Sequence, residues 1–111
     1  MIGQRLCRLT DIPDGTAKGF TAETAAGKRD IFVHRDGKTV RGYVNSCPHV
    51  GSPLEWAHDR FISLDGFHLI CGTHGALFRP HDGYCVSGPC AGDSLEPVAI
   101  SVIDDVVLFR D

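Results

Sequence analysis

Cys47-Pro48-His49-Val50-Gly51 and Cys71-Gly72-Thr73-His74-Gly75-Ala76-Leu77-Phe78 are the two stretches that organise this chain of 111 residues. Each sets a thiol beside an imidazole, as Cys-x-His in the first and Cys-x-x-His in the second, with residues 50–70 between them. Two thiolates and two imidazoles suffice to hold one zinc ion in a tetrahedron. Structural zinc sites, however, usually space paired ligands two or more residues apart, and a single residue between Cys47 and His49 is tight for one ion. A binuclear cluster relaxes this limit, because each motif gives its Cys to one metal and its His to the other. Cys47 and Cys71 then share one iron, and His49 and His74 share the second.

Working outward, the flanking sequence reads as strands separated by turns. Residues 4–9, 19–24 and 29–35 read as strands, the latter two carrying β-branched and aromatic side chains, and Asp36-Gly37 follows as a hairpin signal before a strand over 39–45. Short apolar runs at 68–71 and 76–79 flank the second motif, and 98–103 with 106–110 form a closing hairpin across Asp104-Asp105. No stretch keeps a helical period beyond about two turns. The expected fold class is all-β, an antiparallel sandwich or small barrel. A cluster-binding subdomain covers about residues 46–90, inside a single domain over 1–111.

Composition narrows the function. The net charge of −3, with 14 acidic and 11 basic residues, argues against nucleic-acid binding, which needs a basic face. No apolar run approaches the length of a membrane span, and the N-terminal residues lack a signal peptide's apolar segment, so the expected location is the cytoplasm with no membrane contact. Five cysteines and six histidines in such a compartment read as a metal site rather than a disulfide framework. There is no G-x-G-x-x-G for a dinucleotide and no length for a flavin domain.

The paired motifs Cys47-Pro48-His49-Val50-Gly51 and Cys71-Gly72-Thr73-His74-Gly75-Ala76-x-Phe78 resemble the two cluster-binding loops of the Rieske family, and Gly88-Pro89 resembles its proline loop. The resemblance extends through the β scaffold. It implies one Rieske-type [2Fe–2S] cluster, with Cys47, His49, Cys71 and His74 as ligands. Two imidazoles in place of two thiolates make the cluster less negative, so the reduction potential falls within roughly −150 to +300 mV. High-potential members carry Ser and Tyr where this chain has Ala76 and Phe78, and a disulfide at the positions of Ser52 and Thr73. Both departures point to the low end of that range, as in ferredoxins of ring-hydroxylating dioxygenases. The interval 50–70 is longer than the family's usual one, and residues 55–64 are expected to form an excursion.

The remaining candidates take ordinary readings. Cys85 and Cys90 are expected to be reduced and packed as small hydrophobes near the proline loop, and Cys7 to be a strand residue. His58 is read as a solvated loop residue, His34, His68 and His81 as surface or strand residues, and Trp56 as an anchor for the excursion. Gly51, Gly72 and Gly75 let backbone N–H groups approach the cluster sulfurs. The family resemblance implies a non-catalytic one-electron carrier, taking electrons from a flavin-dependent reductase to a terminal oxygenase. The alternatives are a redox subunit of a stable complex, as in the small subunit of a nitrite-reductase-like enzyme, a redox sensor, and a zinc-stabilised binding module.

Overall fold

Ile31-Phe32-Val33-His34 is buried at every position. A strand with one face on the core alternates between buried and exposed residues; unbroken burial means that both faces are covered. The computed structural model, which describes residues 4–25, 27–46, 48, 54, 60–63, 66–71, 75–89 and 91–110, shows what covers them. Nine strands occur among these residues: β1 (Gln4–Arg8), β2 (Ala17–Thr24), β3 (Gly27–Asp36), β4 (Thr39–Val44), β5 (Leu69–Ile70), β6 (Leu77–Phe78), β7 (Cys85–Ser87), β8 (Pro97–Ile103) and β9 (Val106–Arg110). Six form an antiparallel sheet in the order β1-β9-β8-β4-β3-β2, and β5-β6-β7 form a second, smaller one.

The large sheet curls until its edge strands meet, where the Glu23 N–H donates to the side-chain Oε1 of Gln4 on β1 at 2.8 Å. This bond nearly closes a barrel and covers part of two edges that would otherwise be open to pairing with another chain. Ile31 and Val33 point into the barrel interior, with Leu9, Ile12, Ala22, Val107 and Phe109. Phe32 points the other way. It stacks on Phe61 with ring centroids 4.6 Å apart, lies 5.7 Å from the Tyr43 ring, and joins a second core with Leu54, Leu69, Cys71, Ala76, Phe78, Cys85 and Leu95. One strand therefore serves two cores, the barrel's own and that of the small sheet.

The hairpins follow turn chemistry, with two adjustments. Asp36 pairs with Thr39, so the turn is Gly37-Lys38, with Gly37 at φ +63, one residue later than the sequence suggested. Ile103 pairs with Val106 across Asp104 and Asp105, both left-handed at φ 51 and 61, the two positive φ values of a type I′ turn. β1 stops at Arg8, because Leu9–Asp11 turns into a single 3-10 turn whose Asp11 carboxylate accepts the Arg8 N–H. β7 was not expected; it is three residues long and pairs with β6 across a register shift. Within the expected excursion, Phe61 is buried and Ile62 bridges Leu69, so residues 60–63 belong to the scaffold; Trp56 and His58 lie outside the described residues.

β4 and β8 pair only at Gly42–Val98 and Tyr43–Pro97, extended by the Val44 N–H to the Glu96 carbonyl. Gly42 is required here: a Cβ would lie 2.3 Å from Cγ1 of Ile100. The next residue, Tyr43, joins the two sheets, since its hydroxyl donates to the Pro80 carbonyl at 2.8 Å in the turn between β6 and β7. Burial pushes its pKa up to about 12. An unfolded tyrosine ionises near 10 while folded Tyr43 keeps its proton, so stability falls as pH rises between those values. Tyr43→Phe is expected to cost about 1 kcal/mol at neutral pH and to remove Tyr43's part of that alkaline loss. Denaturant melts from pH 7 to 12 check this; an unchanged slope above pH 10 contradicts it.

Candidate metal centre

Cys71 follows β5 directly and is fully buried in the core that contains Phe32. Its amide donates to the Ala76 carbonyl at 2.9 Å, and its carbonyl accepts the Gly75 N–H at 2.8 Å. The second motif is thus closed at its base by two main-chain bonds, with Gly75 at φ +70 making the return. The first motif begins where β4 ends. There the Asn45 N–H continues the ladder to the Asp30 carbonyl at 2.9 Å, and its side-chain Oδ1 accepts the N–H of Leu54 at 2.8 Å. Cys47, His49 and His74 lie outside the described residues, as do Gly51, Ser52, Gly72, Thr73 and Cys90.

A third segment closes the site. After β7 the chain is held by Gly92 N–H to the Cys85 carbonyl at 3.1 Å and Cys85 N–H to the Asp93 carbonyl at 2.8 Å. Between them Gly88, at φ +102, lies against the second motif: a Cβ on Gly88 would stand 2.7 Å from Cα of Ala76. The expected proline loop is therefore packed directly on the residue five positions after Cys71. Ala76 and Phe78 are fully buried, and neither offers a hydroxyl. Cys85 is buried as expected, its thiol donating to the Ser87 carbonyl at 3.3 Å.

The other titratable residues separate from this site. Cys7 lies on β1, where burial and then the Asp11 carboxylate push its thiol pKa up and leave it a weak nucleophile. His34 is a strand residue but only 7% exposed, and burial pushes its pKa down, so it is neutral at pH 7. His81 is exposed beside Asp82, at 3.7 Å. Asp82 accepts the Tyr84 N–H and pairs with Arg79, which together hold its carboxyl below the usual range. Among the described residues no group of three or more His, Cys, Asp or Glu could hold a metal ion. No helix there is long and apolar enough to cross a membrane.

The donor set suits a cluster rather than a hydrated ion. The Cys71 thiol lies in an apolar core at the start of a tied-off segment, and Gly88 brings another segment against Ala76 of the same core. Low dielectric around a sulfur ligand and bonded backbone at its base are the features by which proteins tune an iron–sulfur centre. Residues 3–109 match the Rieske [2Fe-2S] domain, and the chain belongs to that family. Its cofactor is one Rieske-type [2Fe–2S] cluster, which takes up and returns a single electron.

Solved structures agree on the fold. The ferredoxin of carbazole 1,9a-dioxygenase from Nocardioides aromaticivorans IC177 superposes with a TM-score of 0.76 at 19% identity, over 99% of this chain and 98% of that one. The Sphingomonas yanoikuyae B1 ferredoxin gives 0.72 at 19% identity over 98% of each chain. A chain of the complex of reduced oxygenase and oxidized ferredoxin in carbazole 1,9a-dioxygenase gives 0.75 at 24% identity, over 96% of this chain and 99% of that one. At these identities the likeness is one of fold. No curated protein gives a significant sequence match.

Sequence reading missed one contributor, Asn45, and one contact of the expected proline loop. Gly88 carried a signal, a glycine before a proline beside the motifs, but its contact with Ala76 is visible only in three dimensions. Asn45 carried less, being one polar residue at a strand end. Gly88→Ala is expected to lower stability by about 2 kcal/mol, because the methyl must displace Ala76 or the turn and a side chain at positive φ adds strain. Denaturant melts of holoprotein check it, and a loss below about 0.5 kcal/mol contradicts the contact.

Proposed function

We propose that this chain is a one-electron carrier, a single domain over residues 1–111. Its cluster is held by the Cys47 and Cys71 thiolates on one iron and by the His49 and His74 imidazoles on the other. It receives electrons from a flavin-dependent reductase and delivers them to a terminal oxygenase, by transient contact in the cytoplasm. The observation that supports this reading is the likeness in fold to a dioxygenase ferredoxin, at a TM-score of 0.76 over 99% of this chain and 98% of that one. The burial of Cys71 and the absence of hydroxyls at Ala76 and Phe78 support a low-potential cluster, since no side chain at those positions donates to the reduced centre.

A second reading, a subunit fixed in a larger redox complex, draws on one observation: Phe67 is 77% exposed, and Val86 and Ile103 are exposed as well. A permanent interface would cover such residues. Size-exclusion chromatography of the native protein separates the two, since a carrier elutes alone and a subunit elutes with its partner.

The proposal is tested by analysis and reconstitution. Purified protein is expected to contain about two irons and two inorganic sulfides per chain and to give a Rieske-type signal once reduced. Product is expected only when reductase, oxygenase and this protein are combined with a reduced nicotinamide. His49→Cys is expected to lower the potential or lose the cluster, because a thiolate adds negative charge where an imidazole was neutral. Stoichiometric zinc without sulfide, or turnover that ignores the protein, refutes the reading.

A further inference from the structure

We infer that Asn45 is a positioning residue for the cluster: its side-chain amide ties the segment carrying Cys47 and His49 to the apolar core through Leu54. The inference rests on the ligand set proposed above. Asn45 is 9% exposed, and its backbone is fixed by the bond to Asp30 at the end of the β3–β4 ladder. Its Oδ1 accepts the Leu54 N–H at 2.8 Å, nine residues along the chain. Leu54 is fully buried in the core that also contains Cys71, Ala76 and Phe78. Asn45, just after the end of β4, is thereby joined to Leu54 in the core by a side-chain bond.

The three segments around the site are closed differently. The second is held by main-chain bonds between Cys71, Gly75 and Ala76, and the third by main-chain bonds between Cys85, Gly92 and Asp93. Those bonds survive a change of side chain. The Asn45–Leu54 bond does not, so a substitution at Asn45 is expected to loosen the segment carrying Cys47 and His49 and to leave the main-chain bonds at Cys71 intact. The Leu54 N–H is buried among apolar groups, where losing its acceptor leaves a desolvated donor. Holding the segment's ends together before the irons arrive also reduces the chain entropy lost on closing the site.

Holoprotein is prepared as wild type, Asn45→Ala, Asn45→Asp, Val107→Ala and Cys47→Ala. Val107, in the barrel core, is a control for a general loss of stability. The readouts are the rate of cluster loss to an iron chelator, the EPR g values and the reduction potential. Asn45→Ala is expected to release its cluster about tenfold faster than wild type, with shifted g values. Asn45→Asp keeps an acceptor for the Leu54 N–H, so release is expected to return toward the wild-type rate while the added negative charge lowers the potential.

Wild-type release and g values in Asn45→Ala overturn the inference, as does equally fast release from Val107→Ala. Should Asn45→Ala not fold, Asn45→Asp decides alone: release as slow as wild type at a lower potential supports the role, and tenfold faster release at an unchanged potential overturns it. Cys47→Ala keeps the two questions apart. Full cluster content there overturns the ligand set, whereas its loss there with unchanged release in Asn45→Ala overturns only the role of Asn45.

Discussion

The stack of Phe32 on Phe61 is the contact on which the rest of the molecule depends. β3 is flanked by β2 and β4 in the barrel wall, and its outward ring is where the small sheet gains its hold. Two strands of two residues and one of three bury too little alone to be stable. They become a subdomain only by sharing a core with a strand that the barrel already fixes. The buried run Ile31-Phe32-Val33 is thus a requirement of the architecture: the odd residues hold the barrel together, and the even one holds the metal-binding subdomain to the barrel.

From that contact the order passes outward by hydrogen bonds. Tyr43, beside Phe32, reaches Pro80 in the turn between β6 and β7, and Asn45, two residues on, reaches Leu54. Cys71 leaves the same core with both of its backbone groups paired, and Gly88 settles on Ala76. A redox centre gains from surroundings that do not rearrange when its charge changes. Among the described residues the framework is supplied by main-chain bonds at Cys71 and Cys85 and by a buried side chain at Asn45.

Much of this was legible in the sequence, and what was not has a common cause. Hairpins declare themselves locally, through residues such as Gly37 or the Asp104-Asp105 pair that tolerate positive φ, and the family declares itself through the paired Cys and His motifs. The 3-10 turn at Leu9–Asp11 and the short β7 were missed because neither has the length for a periodic pattern. The one-residue shift to Gly37-Lys38 reflects register, which is set by pairing along the whole of β3 and β4 rather than by the turn. Asn45, Tyr43 and Gly88 act through residues far away along the chain, and such contacts leave no local mark. His34 was read without its burial, because the cover over that face of β3 comes from distant segments.

The incomplete seam between β4 and β8 has a directional consequence. The ladder is joined at Gly42, Tyr43 and Val44, the end from which the chain runs on toward Cys47, and unjoined from Arg41 back to Thr39. A cylinder unzipped at only one rim deforms at that rim. Deformation of the barrel is thereby expected at the Thr39–Arg41 end of the seam rather than at the end from which the chain runs on toward Cys47. Small nuclear displacement on gaining or losing an electron is the condition under which electron tunnelling proceeds with little activation.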